Sequence, residues 1–292
     1  MDNLFEIHRS DERGHEETSV HRAEHGPEAA CDIGLKPVRG TPYWVKTDID
    51  GPQGADLPAW AKTSLAAFRE TILNPAFPCM FASSSERRGQ LAYAFADTAV
   101  ADRDVDHIGR AITAWLESLR CLPQNEADYH VLVIFTKPAK DRSLANYAAD
   151  AQALLTALHH RDSEPWPRDL PTDEDDPRWS FAFAGTALFA NISTPANHIR
   201  RSRNVGPSLA LVISPRDVFD RVAGPDEKGR RIRANIRRRT TDFDGGLPSA
   251  PWGTVAYGEG GVGMERKQYI LPDDNDHPID LTITMCPHHR GD

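Results

Sequence analysis

Five consecutive apolar residues, Val131-Leu132-Val133-Ile134-Phe135, stand between His130 and Thr136. Such a run has the length of a strand rather than a helix, and a strand that is apolar on both sides must be covered on both sides. The period then changes: over 143–159, Leu144, Tyr147, Ala151, Leu154 and Leu158 recur at helical spacing. A chain built this way has to place helices against the faces of a sheet.

The rest of the chain repeats the theme. Over 58–74, Trp60, Leu65, Phe68 and Ile72 mark a helix, with Pro58 suited to its first turn and Asn74-Pro75 as a stop. Leu91, Tyr93 and Phe95 alternate with Ala92, Ala94 and Ala96, as in a strand whose small-residue face is packed closely. A helix is predicted over 105–119, strands over 180–190 and 209–214, a helix opened by Pro215, and last strands over 268–271 and 281–285. The expected fold is a single α+β or α/β domain with a mixed β-sheet flanked by helices, spanning 42–292. Residues 1–41 are polar, lack a periodic apolar face and read as a disordered tail; His8, His15, His21 and His25 have no regular spacing there.

A formal net charge of -9 argues against broad nucleic-acid binding. No apolar run approaches the roughly 18 residues of a membrane span, and the N-terminal stretch has no signal-peptide pattern, so a cytoplasmic protein is expected. Cys31, Cys79, Cys121 and Cys286 show no CxxC pairing and are expected as thiols. The glycine-rich 258–263 segment lacks the Lys-Ser/Thr of a phosphate loop.

Cys79 follows Phe77-Pro78 and precedes Met80-Phe81. A thiolate in such apolar surroundings persists only beside a metal or cation; otherwise the thiol is a small core residue. Cys286-Pro287 is a second thiolate candidate. Arg200, Arg201 and Arg203 lie beside His198 and Asn204, and their guanidinium forks match carboxylates, whether of a ligand or of the Asp-rich 173–176 segment. His198 reads as a ligand, a proton shuttle or a surface histidine. Arg230, Arg231, Arg233, Arg237, Arg238 and Arg239 read as a solvated helical face, with Asp242 and Asp244 as counter-charges.

Several of these stretches together resemble the YqcI/YcgG family, whose characterised members are haem-dependent N-oxygenases. They are Phe77-Pro78-Cys79-Met80-Phe81 with Gly89, Asn191-Ile192-Ser193-Thr194-Pro195, His198, Arg201-Ser202-Arg203-Asn204-Val205-Gly206, Leu211-Val212-Ile213-Ser214-Pro215-Arg216, Phe219-Asp220, Lys267-Gln268-Tyr269 and Asp273-Asp274-Asn275. The resemblance implies haem (heme b) as cofactor and hydroxylation of a guanidino or amino nitrogen, of L-arginine or a related metabolite, by O2 or H2O2 in specialised-metabolite (antibiotic) biosynthesis. A thiolate ligand favours O–O cleavage, so Cys79 is the iron ligand that suits such an oxygenase, with His198 and Cys286 as alternatives and His198 as the catalytic imidazole. Arg201, Arg203 and Asn204 would hold propionates or the substrate carboxylate, and Asp220, Glu259 and Glu265 are candidate acids for a cationic substrate. No flavin or nicotinamide fingerprint is present, so an external electron donor is expected. A haem carrier or sensor without catalysis, and a cofactor-free protein gripping an acidic partner, are the alternative readings.

Overall fold

A computed structural model describes residues 42–252 and 264–283. In chain order the elements are β1 (Trp44–Val45), α1 (Lys46–Ile49), α2 (Ala59–Leu73), α3 (Met80–Arg88), β2 (Leu91–Ala96), α4 (Asp102–Arg120), α5 (Gln124–Ala127) and β3 (Val131–Thr136). They continue with α6 (Leu144–Arg161), β4 (Phe181–Phe183), β5 (Thr186–Ser193), β6 (Ala210–Pro215), α7 (Asp217–Ala223) and α8 (Glu227–Phe243). The six strands form one mixed sheet in the order β1-β2-β3-β6-β5-β4, in which only β2 and β3 run parallel.

Register explains the two-sided core. Ala92 pairs with Leu132 and Ile134 with Leu211, and this face packs with Ile108, Ile112 and Trp115 of α4 and Leu154 and Leu158 of α6. Alanines along β2 leave room for α4 to approach. On the opposite face Tyr93, Val133, Phe135 and Val212 meet Leu65, Phe68 and Ile72 of α2, with Phe77, Cys79 and Phe243 at the margin. Phe68 meets Phe135 edge-on at 5.4 Å, and Phe95 stacks on Phe135 at 5.7 Å. Each such side chain contributes roughly 1.5–3 kcal/mol by leaving water.

Four expectations are corrected. The strand predicted over 180–190 is a hairpin, because Ala184 and Gly185 take positive φ of 51° and 67° and turn β4 into β5. Residues 268–271 form no strand: a 3-10 turn, Glu265–Gln268, leads into them, and the Tyr269 carbonyl takes a single sheet-like bond from Ile192 N–H at 2.7 Å. Leu281–Ile283 is not strand, while 284–285 lie outside the described residues. Helix α3 is absent from the sequence reading because Ala82-Ser83-Ser84-Ser85-Glu86 has no apolar period; Gly89 ends it in the left-handed region at φ 71°. Cys121, expected as a thiol, is disulfide-bonded; it caps the C-terminus of α4 with its side chain exposed. No helix of the described residues is long and apolar enough to cross a membrane.

Candidate functional site

Cys79 is the N-cap of α3 and sits half-buried at the edge of the aromatic face of the sheet. Asn74 makes the preceding turn, its Oδ1 accepting from Ala76 N–H at 2.9 Å and its carbonyl from Phe77 N–H at 2.8 Å. Arg239 of α8 then fixes the approach, donating to the carbonyls of Pro75 and Phe77 at 2.6 Å each and of Pro78 at 3.3 Å. Burial pushes the Cys79 thiol up, while the first-turn amides of Ala82 and Phe81 and the Arg239 guanidinium pull it down without overcoming burial. A thiolate there therefore needs one more cation against the sulfur. That donor set fits a thiolate-held metal group, and Cys79 is the free cysteine among the described residues.

The arginine loop is tied to a distant segment. Asp273 accepts the backbone N–H groups of His198, Ile199 and Arg200 at 2.7, 3.1 and 2.9 Å. Burial raises its carboxyl, but these amides and Asn197 outweigh burial and hold it below the usual range. Arg200, fully buried, donates to the carbonyls of Pro272 (2.7 Å) and Asp274 (2.9 Å) and to Asn275 Oδ1 (2.8 Å). The counter-charges of this loop are thus not those of 173–176, where Asp175 pairs with Arg266 and Asp176 with Arg178.

Arg203 is buried and donates to Asn191 Oδ1 and to the carbonyl of Gln268 at 2.9 Å. Burial and the neighbouring Arg200 charge push its pKa down to about 10, against the pull of Asp244. Its guanidinium is thus committed within the protein. Arg201 is exposed, donates to the Phe243 carbonyl and lies 5.3 Å over the Phe243 ring. Asn204 spans the loop through Nδ2 to the Asn197 carbonyl at 2.9 Å. His198 is exposed, and its bond to Asp273 is made by the backbone.

Phe243 meets Phe77 edge-on at 5.6 Å. That contact joins the Cys79 segment, the end of α8 and Arg201 in one neighbourhood, and Asn191, partnered by Arg203, pairs in register with Val212 of the same aromatic face. His198 is not part of this contact, and Cys286 and Glu259 lie outside the described residues. Glu265 is buried against Arg216, which also pairs with Asp220 at 3.3 Å, so both of these acids serve an internal ion cluster. Among the described residues no three His, Cys, Asp or Glu side chains converge as a protein-only metal centre. A cleft of 560 Å³ between α4, α6 and β4 is lined by none of the candidate residues.

The profile of the YqcI/YcgG family matches residues 68–289. The chain belongs to that family. A Streptomyces lavendulae relative named "Putative N(omega)-hydroxy-L-arginine synthase DcsA" is 33% identical over 236 residues, covering 80% of this chain and 86% of that one. A Bacillus subtilis (strain 168) relative, "Uncharacterized protein YcgG", is 29% identical over 240 residues, covering 80% of this chain and 89% of its own. No solved structure matches.

Two groups in this YqcI/YcgG chain escaped the sequence reading. One is Glu86, buried two turns along α3 from Cys79, which accepts from Tyr93 Oη and pairs with Arg69 at 2.8 Å and Lys46 at 3.3 Å. The other is α8, whose arginines are not uniformly solvated. Arg233 is buried on the carbonyls of Ala223 and Gly224, Arg239 holds the Cys79 approach, and Asp244 serves Ser202 at 2.7 Å rather than an arginine of the helix. No local pattern distinguishes Arg239 from Arg238; only the fold turns one inward.

Proposed function

We propose that this protein is a haem-dependent N-oxygenase that hydroxylates a guanidino or amino nitrogen of L-arginine or a related metabolite. The observation that carries the reading is its 33% identity, over 80% of its length, to the relative whose name specifies N(omega)-hydroxy-L-arginine synthesis. The Cys79 geometry supports it. Iron would supply the cation that the sulfur needs, and a thiolate ligand favours oxygen activation for transfer to nitrogen. The chain's own residues would do the rest: Arg239 holds the cysteine segment, Phe68, Phe95 and Phe135 keep the neighbouring face dry, and Arg201 offers a guanidinium to an anionic group. Asn204 shapes the loop that carries Arg201, and His198 remains a candidate proton carrier by its exposure.

The test is the absorbance of the purified protein, ferric and ferrous-CO, with and without L-arginine, for wild type and Cys79→Ala. A Soret band with a red-shifted CO adduct that is lost in Cys79→Ala, and that responds to L-arginine, is the expected result. A CO band unchanged by the substitution moves the ligand to His198 or Cys286, and no Soret band after haem supplementation removes the oxygenase reading.

A further inference from the structure

We propose that the outward face of α8 is the docking surface for an acidic electron-carrier protein that delivers electrons beside Cys79; this rests on the oxygenase reading above. Arg230, Arg231, Ala234, Arg237 and Arg238 follow one another at i, i+1, i+4, i+7 and i+8, which places them on one side of the helix, and all five are exposed. The opposite side carries Gly229 and Arg233, both buried, and Phe243, packed on the aromatic core. Between the two sides run Asn235, whose Nδ2 reaches Met80 Sδ at 3.7 Å, and Arg239, which grips the three carbonyls before Cys79. One helix thus touches the cysteine segment along an edge and shows four guanidiniums to solvent.

Arg230 donates to the Pro225 carbonyl at 2.5 Å and Arg238 to Asn235 Oδ1 at 2.9 Å, but neither acceptor carries a charge that would neutralise the guanidinium. No carboxylate among the described residues pairs with Arg230, Arg231 or Arg237, and the partner of Arg238, Asp242, stands 4.0 Å away with both side chains well exposed. Like charges on one helix face repel, so the surface is destabilised until an acidic surface covers it. The chain as a whole carries -9, which makes this patch a local reversal of sign rather than part of a basic protein. The patch is about 12 Å long by helical rise. Asp226, Glu227 and Asp242 flank it, an arrangement that suits a compact acidic protein and opposes a long phosphate polymer. Met80, exposed at the rim, adds an apolar contact. Small, electrostatically steered interfaces of this kind are typical of electron-transfer encounters.

The reaction needs such a donor when dioxygen is the oxidant. One oxygen atom enters the N–H bond as N–OH, the other leaves as water, and the balance consumes two electrons and two protons per turnover. The carrier supplies the electrons and solvent the protons.

The experiment is titration calorimetry of the full-length protein with an acidic [2Fe–2S] ferredoxin, at low and at raised ionic strength. It compares wild type, a variant with Arg230→Glu, Arg231→Glu, Arg237→Glu and Arg238→Glu together, and a control with the exposed Arg103→Glu and Arg168→Glu. Ferredoxin binding that weakens at least about tenfold in the α8 variant and with salt, and is unchanged in the control, supports the proposal. Equal affinity of wild type and α8 variant, no ferredoxin binding at all, or displacement of ferredoxin by a short DNA duplex or a phosphatidylserine vesicle overturns it. Binding is read without turnover, so a missing Soret band removes the oxygenase reading alone, whereas an unaffected titration in the α8 variant removes the docking surface alone.

Discussion

The guanidinium of Arg239 holds the carbonyl oxygen of Phe77 at 2.6 Å, two residues before Cys79. It brings a positive charge to the cysteine and satisfies carbonyls of the 75–78 connection between α2 and α3. Both effects act on the same sulfur.

Replacing Arg239 by Gln is expected to raise the Cys79 thiol pKa, since it removes the one side-chain charge that lowers it. Peptide-resolved alkylation of the haem-free protein as a function of pH measures this. Arg239→Lys keeps the charge and loses the fork, so it should restore much of the thiol acidity while still destabilising the fold by about 2 kcal/mol. An unchanged alkylation profile in Arg239→Gln would show that burial and the helix N-terminus set the thiol without Arg239.

Asp273→Asn should loosen the arginine loop. The carboxylate accepts three consecutive amides, and an amide oxygen of the same shape is a weaker acceptor, so a loss of about 2 kcal/mol is expected in urea unfolding. Because the folded carboxyl lies below its unfolded value, this stabilisation is present above the unfolded pKa and is lost as pH falls through the folded one. The variant and wild type should therefore converge in strong acid.

Glu265 contributes with the opposite sign. Burial raises it to about 7, with Arg216 and Ser180 pulling it down. A folded pKa above the unfolded one gives stability that is full below the unfolded value and lost as pH rises toward 7, on the order of 3 kcal/mol for this shift. Urea midpoints at pH 5 and pH 8 should differ less in Glu265→Gln than in wild type, even though the variant is weaker at both.

His130 opposes Glu265 over part of the same range. Burial lowers its pKa to about 4, and its Nδ1 has no hydrogen-bond partner among the described residues. Stability is therefore present above the unfolded pKa and is lost as pH falls from about 6.5 toward 4. His130→Phe should lose less stability between pH 7 and pH 5 than wild type does, as read from the change in thermal midpoint; parallel curves would contradict this.

The sheet and its main helices were legible because hydrophobic period is a local property. Val131–Thr136 forms the strand its five apolar residues require, and Ser143 caps α6 one residue before Leu144. What failed to read locally was polar. Helix α3 has no apolar period, and the arginine loop finds its carboxylate at Asp273, more than seventy residues away, instead of in the acidic 173–176 run.

The sequence by itself determined a mixed sheet covered on both faces, and it singled out Cys79 and the Arg200–Arg203 run as candidate stretches. Only the tertiary structure decided that Arg203 is spent on Asn191 and backbone carbonyls, that Arg201 lies exposed over the Phe243 ring, and that Arg239 turns inward to the cysteine while Arg238 turns out. Apolar residues declare their burial by spacing, because transfer from water depends on each side chain's own surface. A guanidinium declares nothing until the fold brings an acceptor within 3 Å of it.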